Sequence, residues 1–185
     1  MVKHNYFVVF IFAVMALSAC NKPVKGRNGV VYKSAVQYND YIVNRQTTLM
    51  KNVVAFGEMV QKDLDSAGIM LSSFEEQTSK MIADLKGMPP YKKDSSFRDA
   101  AIRSFVFYKK VFAEDYKRIL ELGKEGIGST EEGSAEINNI VEKITKEEEN
   151  FYKAFHNSQK DFADKNKMKL MDNNVQKEID KIKDQ

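Results

Sequence analysis

The chain holds one cysteine, Cys20, and two histidines, His4 and His156, so thiol and imidazole chemistry can start from only three positions. Cys20 is the most informative of them. It follows Leu17-Ser18-Ala19 and closes an uncharged apolar run over residues 7–17, which Lys3 precedes with a positive charge. A thiolate is a strong nucleophile, and small side chains before it let the extended backbone enter a peptidase cleft. A positive end, a short apolar run and small residues before a cleavage point form the layout of a secretory signal peptide. A permanent membrane-spanning helix would need about 20 apolar residues. Cleavage is therefore expected between Ala19 and Cys20, removing 1–19 as a signal peptide.

The tetrad Leu17-Ser18-Ala19-Cys20 resembles the lipobox of bacterial lipoprotein precursors. The resemblance implies that Cys20 receives a diacylglyceryl thioether, that a dedicated peptidase cuts before it, and that the freed amine is then acylated. Cysteine usage agrees, because an acylated Cys20 leaves no thiol, whereas a lone cysteine in a secreted chain otherwise needs an explanation. The competing reading is an ordinary cleavable signal with a chance cysteine at the first mature position. Each buried methylene contributes about 0.8 kcal/mol and one acyl chain anchors only marginally, so three chains would anchor durably. In some related lipoproteins acidic residues just after the cysteine direct export to the outer surface. None occurs in 21–29, so the resemblance implies the periplasmic face of the outer membrane, with a surface-exposed adhesin as the alternative. Residues 20–29 are expected to be the acylated cysteine and a flexible linker, since Pro23, Gly26 and Gly29 break helix. Lys22, Lys25 and Arg27 there suit either anionic head groups or a solvated leash.

Other chemistry is sparse. His4 leaves with the signal, so His156 is the imidazole of the mature chain. A di-iron site wants Glu-x-x-His, but Lys153 stands at the required offset. Covalent haem needs two cysteines. A non-covalent haem on His156 with Met50 or Met59 is the remaining cofactor arrangement, although His156 lies about 100° round the helix from the inward Phe155. Gly123, Gly126 and Gly128 follow a helix rather than a strand, unlike a phosphate loop. Glu147-Glu148-Glu149 point in different directions on a helix and read as a solvated face. The expectation is no catalytic residue, no metal and no cofactor. The formal charge of +3 includes Lys3, and Lys and Glu alternate along the chain, which argues against nucleic acid as a partner.

The elements that would hold these residues are helices. Tyr38, Ile42, Arg45, Leu49, Val53 and Phe56 recur at spacings of three and four, predicting a first helix over 31–60. Arg45 is the one charge in that row, expected to snorkel or to pair with a carboxylate of another helix. Phe74, Met81 and Leu85 mark a second helix, ended by Pro89-Pro90. A third starts after Asp94-Ser95-Ser96 and runs through Phe97, Ala101, Phe105, Tyr108, Phe112, then Asp115 or Tyr116, and Ile119. A capping box of Ser129 and Glu132 opens a fourth, with Ile144, Phe151, Phe155 and Phe162 inward and Asn166 as a left-handed stop near 165. Met168 and Leu170 could plug one end, and Val175, Ile179 and Ile182 suggest an amphipathic tail helix. The predicted fold is all-α, an up-down-up-down four-helix bundle over 30–170 with a C-terminal tail at 171–185.

Pro90-Tyr91-Lys92, Phe97-Arg98-Asp99-Ala100-Ala101 and Phe107-Tyr108-Lys109 resemble uncharacterised helical surface-type lipoproteins of Gram-negative bacteria and spirochaetes, a grouping without catalytic residues. The expected function is non-enzymatic: a lipid-anchored envelope protein that binds or scaffolds another envelope protein or a ligand. A carrier holding a ligand or haem in the bundle interior is the alternative.

Overall fold

The computed structural model describes residues 23–170. The expected signal peptide, the Ala19–Cys20 cleavage point and the expected tail at 171–185 lie outside the described residues. The fold is all-α apart from one small hairpin, in which β1 (Val24–Lys25) and β2 (Val31–Tyr32) pair antiparallel, Val24 opposite Tyr32. Then come α1 (Ala35–Val60), α2 (Leu64–Gly87), α3 (Ser96–Lys110), a π-helical turn (Val111–Asp115), α4 (Tyr116–Lys124), a 3-10 turn (Ile127–Ser129) and α5 (Glu131–Lys165).

The hairpin departs from the expected linker. Asn28-Gly29 is a turn dipeptide, and Gly29 takes the left-handed conformation (φ 80°) that lets the strands meet. Gly26 N–H then donates to the Val30 carbonyl at 2.8 Å, and Arg27 N–H donates to the Gly87 carbonyl at 2.7 Å, docking the turn on the end of α2. A β-carbon on Gly87 would stand 2.8 Å from the Asn28 backbone, so the close approach requires glycine there. Among the described residues regular structure starts at Val24, where the hairpin begins. Because β2 takes Val31 and Tyr32, α1 begins at Ala35 rather than 31, capped by the Ser34 hydroxyl accepting from Gln37 N–H.

Asp63 caps α2 by accepting from Asp65 and Ser66 N–H groups. The third helical segment is continuous from Ser96 through Lys124, but its phase changes at the π turn. Eight residues at about 100° each would set Tyr116 about 80° away from Tyr108, and the extra residue of a π turn removes about 100°. The apolar face therefore continues through Phe112 to Leu120, which is buried where Ile119 was expected, and Asp115 is buried as well. Val106 on the same segment is exposed.

Two predicted helix ends shift. Thr130, not Ser129, caps α5, its hydroxyl accepting from Gly133 N–H at 3.1 Å, because Ser129 belongs to the 3-10 turn. At the other end Asn166 is not left-handed (φ −106°); Lys167 is (φ 53°). Met168 N–H donates to the Ala163 carbonyl at 2.9 Å and Lys167 N–H to the Asp164 carbonyl at 3.2 Å, a Schellman ending with lysine at the glycine position.

Buried side chains form one cluster across the helices. At the hairpin end Tyr38, Tyr91, Phe97 and Phe162 pack ring to ring at 5.2–5.5 Å. Farther along, Phe56 on α1 stacks on Tyr116 of α4 at 4.6 Å.

Candidate functional site

Beside the π turn, α1, α3, α4 and α5 leave a cleft of about 190 Å³. Its walls are mainly apolar: Met50, Val53 and Val54 from α1, Val141 and Ile144 from α5. Two phenols, Tyr108 and Tyr116, line it together with Glu148 and Thr145. The π turn brings the two phenols onto one face, and such turns are frequent at functional sites.

The polar groups of the cleft are linked. Tyr108 donates its hydroxyl proton to Glu148 Oε1 at 2.5 Å, and the phenol oxygen lies 3.6 Å from Met50 Sδ. Burial pushes the Tyr108 phenol well above its usual pKa, and the Glu148 carboxylate adds to the effect. Burial, again with help from Glu148, raises Tyr116 to about 12. Both phenols carry their protons at neutral pH, and Tyr108 donates its proton to Glu148. Behind the cleft, buried Asp115 accepts from Lys143 Nζ at 2.7 Å, and this bond raises the Lys143 pKa. The arrangement can hold a small, mostly apolar molecule carrying one polar group.

The residues singled out from sequence fall in different places. Of the three consecutive glutamates, Glu148 reaches the cleft, while Glu149 pairs with Lys153 at 2.5 Å on the surface. Arg45 pairs as expected with a carboxylate of another helix, Asp84 at 2.8 Å, and its guanidinium lies 3.4 Å above the Tyr41 ring. His156 is exposed and stacks on Tyr152 at 6.1 Å, whereas Met50 lines the cleft and Met59 packs against the core. The structure does not bring His156 and either methionine together. Phe74 packs on Phe112 and Phe151 on Phe107, so these rings serve the core rather than the cleft lining. Tyr116 as a lining residue, Thr145 and the π turn were missed. The available signal was the run Tyr108, Phe112, Tyr116, Leu120, whose repeated spacing of four overruns the helical period.

Among the described residues no group of three or more His, Cys, Asp or Glu side chains could hold a metal ion, and no helix is long and apolar enough to cross a membrane. Comparison with protein-family profiles, with curated proteins and with solved structures finds no match for this chain.

Proposed function

We propose that the chain is a non-enzymatic, lipid-anchored envelope protein, tethered through Cys20 at the periplasmic face of an outer membrane, that binds or scaffolds another envelope component. Its helices form an up-and-down four-helix bundle. The short connections 61–63, 88–95 and 125–130 support that arrangement, as do cross-helix contacts such as Arg45–Asp84, Phe97–Phe155 and Lys124–Asp65.

One observation carries the tethered reading. Among the described residues the first element, β1, starts at Val24, four positions after Cys20, and its hairpin is bonded to the end of α2. The four chain steps from Cys20 to Val24 span at most about 14 Å at full extension. An acylated Cys20 would hold the domain against the bilayer surface rather than on a long leash. Mass spectrometry of the native N-terminal peptide tests the modification, and Cys20→Ala should move the protein from the membrane to the soluble fraction. A membrane-bound Cys20→Ala chain, or an unmodified Cys20 thiol, overturns the reading.

A second reading, a carrier of a small apolar ligand, is favoured by the cleft beside Tyr108 and Tyr116. Native mass spectrometry of protein taken from its own envelope should then show an added mass that Ile144→Trp, which fills the cleft, removes. A bound haem would add a Soret band to the same sample.

A further inference from the structure

We infer that the hairpin-bearing end of the bundle is a lipid-facing surface that seats on anionic phospholipid head groups. The inference rests on the proposed Cys20 anchor, which would deliver this end of the domain to the bilayer.

Three separate pieces of chain meet at this end. The hairpin turn is bonded to Gly87 at the end of α2. The α2–α3 turn is held to the end of α5 by Lys165 Nζ on Asp94 Oδ2 at 2.6 Å, and by the Tyr91 and Phe162 rings at 5.5 Å. Lys25, Arg27, Lys86, Lys92, Lys93 and Lys167 are all exposed or half-buried there. Several carboxylates of this end are already neutralised within the fold: Asp84 by Arg45, Asp94 by Lys165, Asp99 by Arg98. Asp40 near the start of α1 and Asp161 and Asp164 on the last turns of α5 are exposed acids of this end. At the opposite end the balance reverses, with Asp63, Asp65, Glu125, Glu131 and Glu132 exposed around Lys62 and Lys124. The domain is thus electrically polarised, with its basic end towards the tether.

The backbone under three of these cations is unusual. Tyr91 and Asp94 exchange two backbone hydrogen bonds of 2.9 Å, which makes Lys92 and Lys93 the central pair of a two-residue hairpin turn. Both are left-handed, at φ 50° and 71°, in a turn type that favours Asn-Gly. Lys167, at φ 53°, occupies the helix-ending position that favours glycine. A β-carbon is disfavoured at each of these positions, and the side chains are exposed, Lys92 Nζ lying 5.8 Å over the Tyr91 ring. Their charge, rather than the fold, accounts for lysine there. Clustered Lys and Arg are drawn to an anionic leaflet over a screening length of about 10 Å at 0.1 M salt, a distance the short tether would keep within reach.

The test uses the acylated protein in vesicles of phosphatidylcholine alone or with phosphatidylglycerol, each carrying a head-group nitroxide quencher. With its sulfur acylated, Cys20 leaves a single introduced thiol for a fluorophore: Ala83→Cys near the basic end, Ser129→Cys at the far end. The near label should be quenched several-fold more in phosphatidylglycerol vesicles, the excess should vanish at high salt, and the far label should not respond. Lys92→Asn with Lys93→Gly, which relaxes the turn and should melt no lower than the parent, should abolish most of the excess. Equal quenching in both vesicles, insensitivity to salt, or indifference to the double variant overturns the lipid-facing surface. So does an effect of the double variant seen in native envelopes but not in these vesicles, which would point to an acidic protein. A protein that floats with neither vesicle overturns the anchor reading instead.

Discussion

The Asn28 side-chain amide donates to the backbone carbonyl of Asp84 across 3.1 Å, bolting the hairpin turn to the last turns of α2. The same nitrogen donates to the Tyr32 hydroxyl at 2.7 Å and lies 3.2 Å from that of Tyr41, while Oδ1 accepts from Val30 N–H. One side chain therefore joins the hairpin, α1 and α2. Asn28→Ala should cost about 1–3 kcal/mol, because partly buried acceptors lose their donor. Hydrogen exchange should accelerate in 24–32 ahead of the helices. Uniform exchange across the domain, with an unchanged urea midpoint, would show that the hairpin is not held by this residue.

High pH tests the buried phenols. Desolvation raises both Tyr32 and Tyr116 from the ordinary value of 10.0 to about 12 in the folded chain. A group whose folded pKa is raised contributes stability that is complete below its unfolded pKa and is lost as pH climbs through the folded one. The stability conferred by these two tyrosines should thus be intact below pH 10 and drain away between pH 10 and about 12. Of the eight tyrosines, Tyr6 leaves with the expected signal peptide, and the chain has no tryptophan, so tyrosinate absorbance of the other seven reports the process directly. A late group of phenols should ionise together with loss of helical circular dichroism. Ionisation of all seven remaining tyrosines in one early step, with the helices intact, would refute the burial argument.

The helices were largely legible in the sequence because their stripes obey the ordinary period. Ile42, Leu49 and Phe56 of α1 recur every seven residues, and all three are buried. The hairpin was also written there, in Asn28-Gly29 beside Val30, Val31 and Tyr32. It was overlooked because the same glycines read as helix breakers, and docking depends on Gly87, far away in sequence. The π turn was harder to see. Tyr108, Phe112, Tyr116 and Leu120 overrun a regular helix, and only packing against α1 and α5 decides whether the helix shifts phase or exposes a residue. Glu148 could not be told from Glu147 and Glu149 by type; the facing Tyr108 on another helix distinguishes it.

Two glycines should respond to alanine in opposite directions. A β-carbon at Gly133 would stand 2.1 Å from the Ile127 carbonyl oxygen, so Gly133→Ala must push the 3-10 turn away from the start of α5. Overpacking of this kind typically costs about 1–3 kcal/mol. Gly57, inside α1, would have nothing within 4 Å of an added β-carbon. There alanine removes only the conformational cost of glycine, and Gly57→Ala should stabilise by about 0.5–1 kcal/mol. Thermal melts of the two variants should move apart around the parent. A Gly133→Ala protein as stable as the parent would contradict the close approach.

The Tyr108–Glu148 pair offers the sharpest reading of the cleft. Phenylalanine at 108 keeps the ring contacts with Phe107 and Phe112 but removes the proton donated to Glu148. A hydrogen bond to a charged acceptor is worth about 1.5–3 kcal/mol. Tyr108→Phe should therefore destabilise by an amount in that range. Glu148→Gln, which keeps an acceptor oxygen, should cost less. The double variant should be more stable than the sum of the single losses predicts, with a coupling of about 1 kcal/mol, because Tyr108→Phe removes the bond whose charge assistance Glu148→Gln takes away. Strict additivity in urea unfolding would mean that the phenol and the carboxylate act independently. The cleft would then lack the linked polar group on which its ligand-holding chemistry depends.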